Sequence, residues 1–359
     1  MHTMAQISVK TFADIDLEDF LALSQLEYGT TVSSNSKHIR WKHLDSPFGA
    51  SFCVNLSENG QVVGRALIQP RPLHTATTVV NVASVMDMLI DRKHRTTPAN
   101  FIQITKATGN IENIDLVFHT SNERTFPLYS KLFRYPNPFS LKAYGFPVRI
   151  AGLFSSIFGR RIDAIDWLTA PFRWLLRLFA YFANLIAGLD ISQRAIRNDE
   201  LEILCAKCLH QSGSHLARTN TFLKWRFNDA PLWPATIYRI DRKGRFLGYV
   251  VTRKMELGGL NHLVLMDFIL DPDISFFARL ALRLWLIRQA IISQADSLFT
   301  MVNPFSIIAR TCVGFPLINI PDRLLPHATP IFMRARTEDN KMLELDRSIH
   351  MTLADLDYF

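Results

Sequence analysis

Four groups of residues in this 359-residue chain have types and spacings that could do chemistry. The first is the stretch Asn122-Glu123-Arg124-Thr125-Phe126-Pro127-Leu128-Tyr129-Ser130-Lys131-Leu132-Phe133, which follows the apolar run Ile114–Phe118. It places an amide and a phenol seven positions apart at a strand-to-helix corner. The second is Asp87, set between Met86 and Met88 inside the apolar run Val79–Ile90. A carboxylate there is costly unless paired or functional, so it reads either as a base or as a structural anchor. The third is the basic turn Arg92-Lys93-His94-Arg95. It could hold a phosphate by charge or remain solvated surface. The fourth is Cys205-Ala206-Lys207-Cys208 with His210 and His215 nearby. That is half a zinc site, but no second cysteine pair follows, so no metal is expected. Cys312 has no indicated base and reads as a buried thiol. No Walker or Rossmann glycine pattern is present.

The elements that must position these residues follow from periodicity. Residues 14–28 carry apolar positions at helical spacing, with Asp14 or Asp16 available as a cap. Ser51–Leu56 and Gln61–Gln69 flank Glu58-Asn59-Gly60 as a hairpin. Val79–Ile90 is a strand. Thr97 caps a helix that Pro98 opens and that runs to about Thr108. Ile114–Phe118 is a further strand, and the Asn122 corner follows it.

The second half repeats this order. Trp41 matches Trp225 at a separation of 225 − 41 = 184, and Asp45, Pro47, Gly60 and Gly64 match Asp229, Pro231, Gly244 and Gly248 at the same separation. With two short gaps, Asp87 matches Asp267 and Asn122 matches Asn303. Between the copies, Pro171 can start a helix that Gly188 stops. That helix is strongly polar only at Arg173, Arg177 and Asn184. It reads as a helix buried between domains, as an interfacial helix on a membrane, or, least easily, as a span. The expected organisation is a first domain over 1–149, a hydrophobic helical linker over 150–195, a second domain over 196–335 and a charged tail over 336–359.

Composition bounds the class. Hydrophobic residues make up 48% and charged residues 20%, which are values of a chain that folds into cores. The net charge of +8 is spread along the chain. That argues against a nucleic-acid-binding tail and leaves an anionic ligand or membrane surface compatible. Four cysteines are too few for a disulfide framework, and Met1–Gln6 shows no secretory pattern. A cytoplasmic protein, peripheral to the inner membrane in one reading, is expected.

Together, Trp41–Pro47, Gly60 and Gly64, the strand around Asp87 and the Asn122–Phe133 corner resemble the GNAT superfamily of acyl-CoA-dependent N-acyltransferases. The second set is Phe222–Phe227, Gly244–Gly248, Asp267 and Asn303–Phe315. The chain is similar to tandem GNAT-like proteins of the bacterial envelope and polysaccharide type, over about 5–145 and 196–335. The resemblance implies an α/β fold of two tandem domains, each a mixed twisted sheet flanked by helices, joined by an amphipathic helical linker.

It further implies that Tyr129 protonates the leaving thiolate of CoA, since a phenol can donate while neutral at pH 7. Asp87 would be the general base, and Asn122 an anchor for pantetheine or backbone. Strand residues Met88 and Ile90 would line the cofactor, and Arg95, Thr96, Thr97 and Ala99 would cradle its pyrophosphate at a helix N-terminus. The family's loop reads Arg/Gln-x-x-Gly-x-Gly/Ala. Here Pro98 and Asn100 stand where glycine and glycine or alanine are expected, and Pro98 removes an N–H donor. In the second copy, Asp271–Arg279 has no glycine and carries two carboxylates, and Arg310 takes the tyrosine position.

The function expected is acyl transfer from acetyl-CoA or a longer acyl-CoA to an amine acceptor, such as an amino sugar or envelope precursor. The first copy would hold the donor and the second would shape the acceptor side. The alternatives are a catalytically degenerate binding or assembly protein at the membrane surface, and an enzyme that takes its thioester from acyl-carrier protein. Neither a metal nor a nucleic-acid partner is expected.

Overall fold

The computed structural model describes residues 5–152, 163–325 and 329–356. In chain order the first half contains β1 (Gln6–Thr11), α1 (Leu17–Tyr28), α2 (Ser36–His43), β2 (Phe52–Glu58), β3 (Gln61–His74), β4 (Val79–Ile90), α3 (Pro98–Thr108), β5 (Leu116–Thr120) and β6 (Phe139–Pro147). The second half contains α4 (Asp163–Ala187), β7 (Leu189–Ser192), α5 (Asn198–Ser212), β8 (His215–Leu216), β9 (Thr236–Arg242), β10 (Arg245–Leu257) and β11 (Leu260–Leu270). It continues with α6 (Phe276–Ile292), β12 (Ser297–Val302), α7 (Ile307–Cys312), β13 (Ile318–Asn319) and β14 (Thr329–Ala335).

The chain divides into two compact units. Unit 1 comprises Met1–Ser140, Thr221–Leu232 and Thr329–Arg347, and unit 2 comprises Leu141–Asn220, Trp233–Ala328 and Ser348–Phe359.

In unit 1 the strands run β1-β2-β3-β4-β5-β14, antiparallel throughout except for the parallel pair β4–β5. Successive strand residues face opposite sides, and each side has its own core. Cys53 and Leu67 join Phe12, Phe20 and Ile39 under α1 and α2. Val54, Ala66 and Ile68 join Val85, Ile90 and Ile104 under α3. Asp16 caps α1, its carboxylate accepting the N–H groups of Glu18 and Asp19. The β2–β3 hairpin turns at Asn59 and Gly60, both with positive φ, as a tight hairpin requires. Trp41 and Trp225 stack at 5.3 Å, and each indole N–H donates to the other residue's carbonyl at 2.8 Å.

In unit 2 the order is β6-β12-β11-β10-β9-β7, again with one parallel pair, β11–β12. Gly248 sits at φ +141°, and a Cβ there would lie 2.1 Å from the Ile269 carbonyl oxygen, so the strand admits only glycine at that point. Helix α4 packs against α6. It is already helical at Asp163, and Pro171, which the sequence offered as its start, lies inside it. A proline costs the helix one hydrogen bond, and here the turn before it is held by Arg173, which donates to the Thr169 hydroxyl and the Asp166 carbonyl. Gly188 follows the helix at φ +66°.

Each unit is therefore an α/β domain with a mixed sheet and flanking helices, in agreement with the architecture expected from the sequence.

Candidate active site

The parallel ladder between β4 and β5 is short. It runs from Val82 paired with Leu116 to Val85 paired with His119, and then ends. Strand β4 continues to Ile90, and its register against β3 shifts between Arg65 and Leu67. The residues that shift bulges out are Asp87 and Met88, with Asp87 at φ +48°. Beyond Val85 and His119 the two strands therefore part. Asp87–Ile90 forms one wall of the gap, and Thr120 with the residues after it forms the other.

Asp87 is held from α2. Its Oδ2 accepts from Lys42 Nζ at 2.8 Å and lies 2.8 Å from His43 Nε2. His43 Nδ1 is in turn 3.0 Å from the Ser51 hydroxyl. Burial pushes the Asp87 carboxyl up, but the Lys42 charge and the His43 hydrogen bond outweigh it and hold it well below the usual carboxylate range. Burial lowers His43 to about 4, leaving the ring neutral. It also lowers Lys42, against the pull of Asp87. The Asp87 side chain keeps 18% of its surface exposed. It lines a cavity of about 320 Å³ with Arg65, Met88, Phe20 and Tyr28. The Arg65 guanidinium stacks 3.4 Å over the Phe20 ring and donates to the Phe20 carbonyl and the Ser24 hydroxyl. Met88 also packs against the α3-side core to which Ile90 belongs.

Tyr129 is buried behind β5, in a turn of π-helix spanning Leu128–Leu132. Its ring meets those of His119 at 4.8 Å, Phe332 at 5.5 Å and Phe101 at 5.9 Å. Asn122 shapes this corner. Its Oδ1 accepts the Arg124 and Thr125 N–H groups and the Thr125 hydroxyl, so the amide that the sequence offered as a cofactor anchor caps the turn carrying Tyr129.

Sequence reasoning passed over two residues here. His119, near the end of β5, and Ser121, just beyond it, are both buried. Both His119 ring nitrogens and the Ser121 hydroxyl lack a hydrogen-bond partner among the described residues. Burial lowers His119 to about 3, so the ring is neutral. Buried polar groups are normally satisfied, and two orphans side by side at the end of the β4–β5 ladder point to a group the site receives. The signal was legible as a histidine directly following Leu116-Val117-Phe118.

The basic turn is arranged differently from the expected cradle. Arg95, Thr96, Thr97 and Ala99 are all exposed, on the loop and first turn of α3. Glu27 of α1 accepts from the Arg92 N–H at 3.0 Å and from the Arg95 guanidinium. Asp91 takes the N–H groups of Lys93, His94 and Arg95 at 2.8, 2.9 and 3.0 Å. The turn thus spends the Arg92 and Lys93 amides and the Arg95 guanidinium on the protein's own carboxylates, and the His94 and Arg95 amides on the Asp91 carbonyl. The structure brings Asp87 and Met88 together on one cavity, places Ile90 in the adjoining core, and leaves the loop residues and Asn122 outside that cavity's lining.

Unit 2 shows the corresponding gap filled. The β11–β12 ladder ends at Val264 paired with Phe299. Asp267 lies beyond it, at the register shift between Val251 and Thr252. The segment from His350 to Asp355 occupies the opening. Asn303 N–H donates to the Met351 carbonyl, Val302 bridges to Thr352, and His350 Nε2 lies 3.0 Å from the Phe268 carbonyl oxygen. Arg218 donates to both oxygens of Asp267 and to Asp355 at 2.7–3.0 Å. Tyr249 and Thr352 hydroxyls complete Asp267 at 2.8 Å. The Arg218, Asp267 and Asp355 side chains are wholly buried.

The cysteines offer no nucleophile. Burial raises Cys53 to about 11 and Cys205 and Cys312 to about 12. Among the described residues no group of three or more metal-type ligands converges.

No family model and no curated protein matches the chain by sequence. By structure, the chain is similar to a GCN5-related N-acetyltransferase from Anabaena variabilis, with a TM-score of 0.59 and 12% identity over 92% of this chain and 73% of that one. Saccharomyces cerevisiae N-myristoyltransferase with bound myristoyl-CoA gives 0.55 and 13% identity over 93% and 84%. A GCN5-related N-acetyltransferase from Kribbella flavida gives 0.55 and 10% over 92% and 71%. The fold is the GNAT-like fold.

Proposed function

We propose that the chain is an N-acyltransferase that moves an acyl group from a CoA-type thioester to an amine. The observation carrying this reading is the opened end of the β4–β5 ladder. One wall presents an ion-paired carboxylate on a cavity, and the other presents a buried tyrosine beside two orphaned polar groups. The thioester would lie in the gap, its polar atoms satisfied by His119 and Ser121. An acceptor amine would approach through the Asp87 cavity. Its nitrogen attacks the thioester carbonyl carbon, the carbon–sulfur bond breaks, and Tyr129 gives the leaving sulfur a proton. The ammonium first gives one proton to water beside Asp87, and after the attack the nitrogen's second proton leaves through water and restores the Tyr129 phenol. Lys42 and His43 keep Asp87 ionised, so it serves chiefly to hold and orient an ammonium.

The proposal extends to origin and setting. Two copies, over 1–149 and 196–335, are supported by Asp87 and Asp267 at equivalent register shifts. They are also supported by Asn122 and Asn303, each turning its Oδ1 onto the N–H two residues on. An amino sugar or envelope precursor is the proposed acceptor, and the cytoplasmic face of a membrane the proposed location.

Calorimetry with acetyl-CoA, longer acyl-CoAs and free CoA tests the reading. Binding is expected, and its absence for every thioester at millimolar ligand overturns the CoA reading. Tyr129→Phe is expected to lower turnover by about 10²-fold or more with affinity little changed, the range for a lost general acid. Unchanged turnover removes Tyr129 from the mechanism.

One observation favours a second donor. Glu27 already engages the Arg92 N–H and the Arg95 guanidinium of the loop that a pyrophosphate would need. A thioester delivered on acyl-carrier protein brings no pyrophosphate to that loop, and it would be used when CoA thioesters are not.

A further inference from the structure

Helix α4 is built inside out. Its protein-facing side carries small and polar residues, among them Thr169, Arg173, Ala180 and Ala187. Its outward side carries the large apolar ones. Trp167 is 82% exposed and Ile186 86%, with Phe172, Trp174, Phe179 and Leu185 between them also exposed by more than half. At 100° per residue, positions 167, 168, 171, 172, 174, 175, 178, 179, 181, 182, 185 and 186 are exposed, uncharged and within one half of the helix circumference, with exposed Ala170 and Arg177 just beyond its edge.

At 150–250 Å² per large aromatic side chain, these residues present roughly 1,000 Å² of apolar surface, well beyond the patch a monomer ordinarily exposes. Water would not leave such a face uncovered.

We infer that this face is a membrane-docking surface, with α4 lying in the plane of an anionic lipid interface. Three features select lipid. Trp167, Trp174 and Tyr181 recur every seven residues and so form one edge of the face, where amphipathic rings meet headgroups. Exposed Arg177 flanks that edge, and the chain carries +8. The face also lacks the polar groups with which a protein interface sets register. No helix among the described residues is long and apolar enough to cross a membrane, which fits a helix that keeps its polar side on α6.

The test is flotation of the intact chain with vesicles of phosphatidylcholine alone and of phosphatidylcholine with phosphatidylglycerol. The wild-type chain is expected to float with the mixed vesicles. Trp174→Glu combined with Phe179→Glu should weaken this by at least about tenfold, since two charges replace two inserted rings. Should that variant fail to fold, tryptophan quenching of the wild-type chain by brominated lipid reports the same insertion. A chain that stays unfloated and unquenched with both vesicles overturns the inference, as does equal flotation of the folded variant. A stable dimer that these substitutions dissociate, with no flotation, assigns the face to a second copy and overturns it too. The outcome is independent of thioester binding, which calorimetry reads in the absence of lipid.

Discussion

At the residue scale, the site depends on groups held neutral by burial. His119 carries no proton in the folded chain, while an exposed histidine binds one near pH 6.5. The unfolded state therefore binds more protons below that value, and stability rises with pH there. The stabilisation is complete above pH 6.5 and is lost as pH falls toward about 3, at about 1.4 kcal/mol per unit for each such residue. His43 and His350, both lowered to about 4 by burial, add to the same slope. Thermal unfolding between pH 7 and pH 5 should show a steep loss, and His119→Gln should flatten it. An unaltered slope would mean that His119 is not buried as described. The same variant should raise KM for the thioester if His119 and Ser121 receive it.

At the element scale, the two parallel ladders end alike and differ in what lies beyond them. The β4–β5 gap has orphaned polar groups. The β11–β12 gap holds the protein's own His350–Asp355 and a wholly buried Arg218–Asp267–Asp355 cluster. Arg218→Met would strand two buried carboxylates. Urea unfolding is expected to show a loss of about 3–5 kcal/mol, the range for breaking a buried pair from one side. Replacing all three residues, with Asp267→Leu and Asp355→Leu added, should recover most of it, because the desolvation cost then disappears. A single variant as stable as the wild type would show that the cluster is hydrated in solution.

At the scale of the whole molecule, one open gap and one filled gap imply one donor site per chain. Titration with the thioester that binds should saturate at one equivalent. Two equivalents would show that the His350–Asp355 segment leaves its place. Loss of binding on Met88→Trp, which fills the cavity edge, with one equivalent retained in Arg218→Met, would assign the single site to unit 1.

The sequence by itself determined much of this protein. Strand Val79–Ile90 and helix Pro98–Thr108 follow from apolar runs and from a Thr-Pro start, which are local signals. The doubled Trp, Asp, Pro and Gly landmarks, five of them at one separation, pointed to two similar halves. Asp87 stood out as a carboxylate in an apolar run, and Tyr129 by its spacing from Asn122. Only the tertiary structure decided what surrounds them. That Lys42 and His43 clamp Asp87 depends on α2 crossing β4. That Glu27 takes the basic loop depends on where α1 ends. That His119 and Ser121 lack partners depends on where a ladder of four residue pairs stops. Even the hydrophobicity of residues 163–187, plain in the sequence, did not say which side faces outward. That was settled by where α4 packs against α6. Periodicity reports that a face exists, and only the packed neighbours report what it faces.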